Sequence, residues 1–309
     1  MMESYPAGVA DWGQARACRT GEPVELTAII AGFLLTAGGL VVLGGLVLRV
    51  GVAHHRDLLR PATQLAGWLP RWPRRSARWG PRFRRLGRVP AEGALVLSLI
   101  LGLAAVALAA AGLAKLVDDV TDGDGVAVLD HPVARFVAAH RAPPLTSVMK
   151  PVSTAGGPAG MAIIALAVGL LLGIAWRSWA PVLVLAVTCA GVIGLTIVFK
   201  AALGRSRPPL AQAVAAADGF GFPSGHAAAA AAVFGAAAWL CSLRMRSWRS
   251  RIAVWAAAAM LASLVGISRV YLGVHWTTDV IGGWIFGILW MAVVVSGWAT
   301  FGHLPHPGR

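Results

Sequence analysis

The sequence predicts an all-α protein, a bundle of helices that crosses a membrane several times. Three observations carry that expectation. The 309 residues are 57% hydrophobic and only 13% charged, with a mean hydropathy of +0.70. A soluble domain of this length needs more polar surface. The apolar residues also gather into long uncharged runs that match the thickness of the hydrocarbon layer. Finally, tyrosine is scarce (2) while tryptophan is not (13), and several tryptophans stand at the ends of those runs, where interfacial anchors belong.

The formal net charge of +14 would suit a nucleic acid, but the arginines lie mainly in the loops between apolar runs. That is the placement that orients a membrane protein, so no nucleic-acid partner is expected. Cys18, Cys189 and Cys241 are an odd set, two of them inside apolar runs, which offers neither a disulfide framework nor a zinc spacing. The first 25 residues carry acids and no apolar core, and so do not read as a cleavable signal peptide.

In chain order, a first span is expected over Leu26–Leu48, followed by an arginine-rich loop from Arg49 to Glu92. That loop fits a cytoplasmic segment obeying the positive-inside rule better than a patch for RNA or anionic lipid. A second span covers Gly93–Ala114. Lys115 to Pro151 is led by Asp118, Asp119, Asp122, Asp124 and Asp130, and reads as a solvated outer loop, since the later ligands of a calcium-binding EF-hand are missing. Within it, Leu129, Val133, Phe136 and Val137 recur at helical spacing, predicting a short helix over Asp130–Arg141 on the membrane surface.

Further spans are expected over Ser153–Trp176, Pro181–Phe199, Pro223–Leu243, Ile252–Ile267 and Trp276–Trp298. Arg177-Ser178-Trp179 forms a tight turn, and Arg244, Arg246, Arg249 and Arg251 a basic one. Gly283 and Gly287 make a small-xxx-small face suited to close helix packing. With the arginine-rich loops and the C-terminal tail inside, 17 of the 27 Lys and Arg residues are cytoplasmic. The expected topology is seven spans, N-terminus out and C-terminus in.

That topology brings three distant stretches to one outer face. They hold Lys200, Arg205 and Arg207; Ser224, Gly225 and His226; and Arg269, His275 and Asp279. Ionisable residues at span ends are costly unless they pair or bind something, so a functional site is the first hypothesis. If the chain after Val274 is helical, His275 and Asp279 stand at i and i+4. The carboxylate can then take the proton-bearing nitrogen of the imidazole and leave the other free.

A metal on His226, His275 and Asp279 would be repelled by the neighbouring cations. Those cations, with a glycine amide at a helix N-terminus, suit a phosphate instead. Two histidines beside a phosphate point to a reaction, with His275 as nucleophile, His226 as general acid and a phosphohistidine formed between the steps. No cofactor or metal is required.

Lys200 with Arg207-Pro208, then Pro223-Ser224-Gly225-His226, then Ser268-Arg269 with His275 and Asp279, resembles the three-part signature of the type 2 phosphatidic acid phosphatases. That family belongs to a superfamily shared with vanadium haloperoxidases. The resemblance covers about Gly93 to Trp298 and implies a six-helix phosphatase core. It implies the same catalytic roles for His275, His226 and Asp279, with Lys200, Arg207, Ser224, Gly225 and Arg269 as phosphate contacts. Arg205 lies outside the signature and is expected to be an accessory contact.

The chain then divides into an N-terminal extension (1–92) with one extra span, the six-span core (93–298) and a tail (299–309). The expected activity is a multi-pass lipid phosphatase of the cell membrane, metal-independent, with its site on the extracytoplasmic side. Polyprenyl diphosphate, phosphatidic acid and phosphatidylglycerol phosphate are the candidate substrates. A phosphotransferase would use the same residues. A transporter or a non-catalytic lipid-binding protein is the reading from another class, and it is disfavoured because the ionisable groups gather at one surface and both histidines are present.

Overall fold

The computed structural model describes residues 91–209 and 213–301. The span expected at 26–48, nearly all of the arginine-rich segment, Cys18 and the tail beyond 301 lie outside the described residues. Among these, the structure is helical and contains no strand. The helices are α1 (Ala91–Asp122), α2 (Asp130–Ala139), α3 (Pro143–Ala155), α4 (Pro158–Trp176), α5 (Ala180–Leu203), α6 (Gly225–Arg244), α7 (Trp248–Tyr271) and α8 (Thr277–Phe301), with a 3-10 turn at Gly125–Leu129.

Five of them, α4 to α8, are long and apolar enough to cross a membrane. Ile163, Leu171, Ile174, Val187, Ile197 and Met260 point outward from α4, α5 and α7, as side chains facing hydrocarbon do. The protein is a multi-pass helical bundle. The second span expected from the sequence lies within α1, which at 32 residues runs well past Ala114.

Several boundaries differ from the expectation, each for a local reason. The acidic segment is not a loop. The i,i+4 ion pair of Lys115 with Asp119 carries α1 on to Asp122, and Asp119 then accepts the Val126 amide at 3.1 Å to close the turn. Asp119 and Asp130, expected to be solvated, are each only 2% exposed. The span expected to start at Ser153 is broken at Gly156-Gly157, where Pro158 opens α4 at its first turn. Ser153 therefore belongs to α3, a helix the sequence reading did not anticipate. Arg177 ends α4 in the left-handed conformation (φ 51°), within the expected tight turn.

The alanine-rich α6 stands at the centre, packed against α4, α5, α7 and α8. Its span is 61% buried, against 22–39% for the other four. Small side chains let neighbours close in. The expected glycine face on α8 does this most tightly: a Cβ at Gly283 would lie 2.6 Å from the Ser224 carbonyl oxygen, and one at Gly287 would lie 2.2 Å from that of Ala228. Only glycine lets α8 lie directly on the first turns of α6. Because α5 and α7 end where α6 and α8 begin, both ends and both starts meet at one end of the bundle.

Candidate active site

Each site residue sits at a helix end or in the turn beside one. Lys200 is in the last turn of α5, whose extension to Leu203 places it on a helix. Ser224 is the N-cap of α6, and Gly225 and His226 are its first residues. Arg269 lies in the last turn of α7, also beyond the boundary expected from sequence. His275 is in the turn before α8, and Asp279 is in that helix's first turn.

The His275–Asp279 pair forms as anticipated but not by stacking on a helix face. His275 precedes the helix. Asp279 reaches back across the turn, taking the Trp276 amide at 3.0 Å and His275 Nδ1 at 3.1 Å, both on Oδ2. This is the return half of a capping box, in which the side chain at the third helical position satisfies the N-cap amide. Both residues are sealed from solvent, with His275 2% and Asp279 0% exposed. A carboxylate on one side fixes the tautomer with hydrogen on Nδ1, so Nε2 carries the free lone pair.

That lone pair faces Arg207, whose Nη1 lies 3.2 Å from Nε2. The guanidinium is itself held by the carbonyls of Val274 (2.7 Å), Gly219 (2.9 Å) and Asp218 (2.9 Å). Lys200 donates to the Phe220 carbonyl at 2.7 Å. Residues 218–220 thus use their backbone oxygens to aim two cations. Burial pushes the His275 imidazole down to about 4, with Arg207 and Arg269 adding to the effect and Asp279 opposing it. The ring is neutral at pH 7. Burial also lowers the Arg207 guanidinium from its usual value.

Arg269 is buried and donates through Nη1 to Ser153 of α3, while its Nε has no hydrogen-bond partner. Ser224 is 0% exposed, and its Oγ is likewise unpartnered. Two phosphate-contact candidates thus present buried, unused polar atoms, an arrangement that costs stability unless a ligand takes them up. His226 borders the turn between α3 and α4, where a Cβ on Gly157 would come within 3.3 Å of its Nε2. Arg269, His275, Lys200 and Arg207 all lie within electrostatic reach of that ring.

Arg205 departs from the expectation. Rather than reaching toward a phosphate, it turns away from the cations and binds Asp279 Oδ1 at 2.5 Å, Thr278 Oγ1 at 2.7 Å and Asp130 Oδ2 at 2.8 Å. The carboxylates of Asp279 and Asp130 attract the guanidinium, while the neighbouring cations repel it. Ser153 and Asp130 were missed by sequence reasoning. Neither belongs to a motif: Asp130 opens the short helix expected within the acidic outer loop, and Ser153 stands at the start of an expected membrane span.

A buried His–Asp pair, a second histidine and three cations at one end of a membrane bundle define a phosphate-handling membrane enzyme. The comparisons agree, and the chain belongs to the PAP2 superfamily, whose family model matches residues 179–302. The chain is 33% identical over 162 residues to Phosphatidylglycerophosphatase B of Bacillus subtilis (strain 168), covering 52% of this chain and 78% of that protein. It is 38% identical over 68 residues to an Undecaprenyl-diphosphatase of Sulfolobus acidocaldarius, covering 22% of this chain and 29% of the other. The crystal structure of a transmembrane PAP2-type phosphatidylglycerolphosphate phosphatase from Bacillus subtilis matches with a TM-score of 0.54 at 29% identity. That match covers 60% of this chain and 93% of that one.

Proposed function

We propose that this PAP2 membrane phosphatase hydrolyses a lipid phosphate or diphosphate through a phosphohistidine on His275. The observation that carries the reading is the contact of His275 Nδ1 with the buried carboxylate of Asp279 at 3.1 Å. With Nδ1–H given to Asp279, Nε2 carries no proton and its lone pair accepts from Arg207 Nη1 at 3.2 Å. In the first step Nε2 attacks the terminal phosphorus, and the bond from that phosphorus to the ester oxygen of a monophosphate, or to the bridging oxygen of a diphosphate, breaks. His226 gives its proton to that departing oxygen. In the second step water attacks phosphorus, the P–N bond breaks and inorganic phosphate leaves, with His226 recovering a proton from the water.

Arg207, Arg269 and Lys200, with the Ser224 hydroxyl and the Gly225 amide at the start of α6, offset the charge that develops on the phosphoryl oxygens. Arg207 exchanges its contact with Nε2 for one with phosphate as substrate enters. A site at the end of the bundle lets the hydrocarbon tail stay in lipid. We place it on the extracytoplasmic face of the cell membrane, within a core of residues 93–298, because the tight turn at Arg177 and the basic turn of Arg244, Arg246, Arg249 and Arg251 lie at the other end of the bundle, where the positive-inside rule puts the cytoplasm.

Polyprenyl diphosphate, phosphatidic acid and phosphatidylglycerol phosphate are the substrate candidates, the last favoured by the similarity to phosphatidylglycerophosphatase B. The test is phosphate release from these three lipids and a water-soluble ester by the detergent-purified protein, with His275→Ala alongside. Release from at least one lipid, abolished in His275→Ala, is expected. Full activity in His275→Ala would refute the mechanism.

A further inference from the structure

We propose that Asp130 and Arg205 are a positioning pair that orients Asp279 from behind and sets the basicity of His275. The inference rests on His275 being the nucleophile. It comes from a chain of charges reaching away from the phosphate side of the site. Asp279 divides its oxygens, with Oδ2 serving His275 and the Trp276 amide while Oδ1 takes Nη1 of Arg205 at 2.5 Å. The other arm of the same guanidinium, Nη2, goes to Asp130 Oδ2 at 2.8 Å. Two carboxylates therefore share one arginine.

Thr278 locks the arrangement. Its hydroxyl accepts from Arg205 at 2.7 Å and donates to Asp130 Oδ2 at 2.5 Å, and its amide donates to Asp130 Oδ1 at 3.0 Å. Asp130 thus satisfies an N-terminal amide of α8 from a helix 148 residues earlier. The side chains of Asp130 and Asp279 are 3% and 0% exposed and that of Arg205 only 14%, so solvent screens these charges weakly.

The consequence for His275 is electrostatic as well as geometric. Charge that Arg205 draws from Asp279 is charge the imidazolium cannot use, and Asp130 limits that draw by holding the other arm of the guanidinium. The groups that bear on His275 are Asp279 from α8, Arg207 from the segment after α5, Arg269 from α7 and His226 from α6. Of these, only Asp279 is touched by the pair. Removing the charge of Arg205 should therefore make His275 more basic, and removing that of Asp130 should make it less so. Two residues that served only as structural glue would not act with opposite signs.

The test uses the full-length protein in detergent, with phosphate release from a short-chain phosphatidic acid followed across the acid range. One substrate throughout makes its own ionisation common to all variants. Both R205Q and D130N should lower kcat roughly 10- to 100-fold while KM stays within about threefold. The acid limb of kcat/KM should move up in R205Q and down in D130N, each by about half a pH unit. R205K, which keeps the charge, should leave the limb in place, and it carries the comparison with D130N if R205Q fails to fold. A raised KM at unchanged kcat in R205Q would assign Arg205 to the phosphate and overturn the proposal, as would limbs that stay put or move together. His275→Ala, run in parallel, separates the two failures. If it is inactive and the limbs do not move, the pair alone is refuted. If it is active, the nucleophile assignment falls first.

Discussion

Nδ1 of His275 lies 3.1 Å from Oδ2 of Asp279, and the two side chains are 1% and 0% exposed. The imidazole is therefore held in one tautomer by a partner that water cannot reach. Replacing Asp279 by Asn keeps the shape and offers an amide, which can hold the ring in either tautomer. Asp279→Asn should lower kcat by about 10²- to 10⁴-fold with a small change in KM. Steady-state phosphate release checks this, and a loss confined to KM would assign Asp279 to substrate binding.

The second prediction concerns pH. His275 has a folded-state value of about 4, below its ordinary 6.5, because burial disfavours the charged ring. Between those values the unfolded chain binds the proton and the folded chain does not. Stability therefore falls as pH drops through that window, and the loss is complete below the folded value. The acid limb of kcat/KM should likewise lie well below 6.5. Thermal unfolding in detergent at pH 7 and pH 5, for wild type and His275→Ala, checks the sign. The variant should lose less stability on acidification than wild type.

The core residues of the site were legible in the sequence because they sit in short, spaced motifs at the ends of apolar runs. Lys200, His226 and His275 needed only the alternation of spans to be brought together. What could not be read was the support behind them. Asp130 looked like one more solvated acid, and only the packing of α2 on the start of α8 buries it. Ser153 stands at the start of an apolar run whose length alone predicts a membrane span. The glycine pair that breaks that run, Gly156-Gly157, is what places Ser153 on a separate helix facing Arg269. Arg205, two residues from Arg207, looked like a further phosphate contact. Its direction is decided by Thr278 and Asp279, more than 70 residues away in the chain.

Ser153 offers a third prediction. It accepts from Nη1 of Arg269 in a buried setting. Ser153→Ala removes that partner, leaving the guanidinium less well aimed at phosphate. KM should rise roughly tenfold, as for loss of one buried hydrogen bond to a charged group, while Arg269→Ala should cost far more. Parallel kinetics on the two variants decide whether the serine acts through the arginine.

The glycine face of α8 gives a fourth. A methyl group at Gly287 would meet the Ala228 carbonyl oxygen at 2.2 Å, a backbone atom that cannot rotate aside. Gly287→Ala should destabilise the bundle by about 1–3 kcal/mol through overpacking. It should also reduce activity, because the first turn of α6 carries Ser224 and His226. Unfolding of the detergent-solubilised variant measures the first effect and phosphate release the second.

Arg207, Arg269 and Lys200 surround the two histidines with positive charge, which opposes a divalent cation at this place. Activity should be unchanged by excess chelator. Orthovanadate, which adopts the five-coordinate geometry of the transition state, should inhibit.

In the mechanism proposed above, His275 carries the phosphoryl group between the two steps. The most direct measurement is a rapid quench of the enzyme during turnover of a lipid labelled in its phosphate, followed by peptide mapping of the protein-bound label. An acid-labile, alkali-stable phosphoramidate on His275, absent from His275→Ala, is expected. Stoichiometric phosphate release with no label on the protein, or label on a different residue, would contradict it.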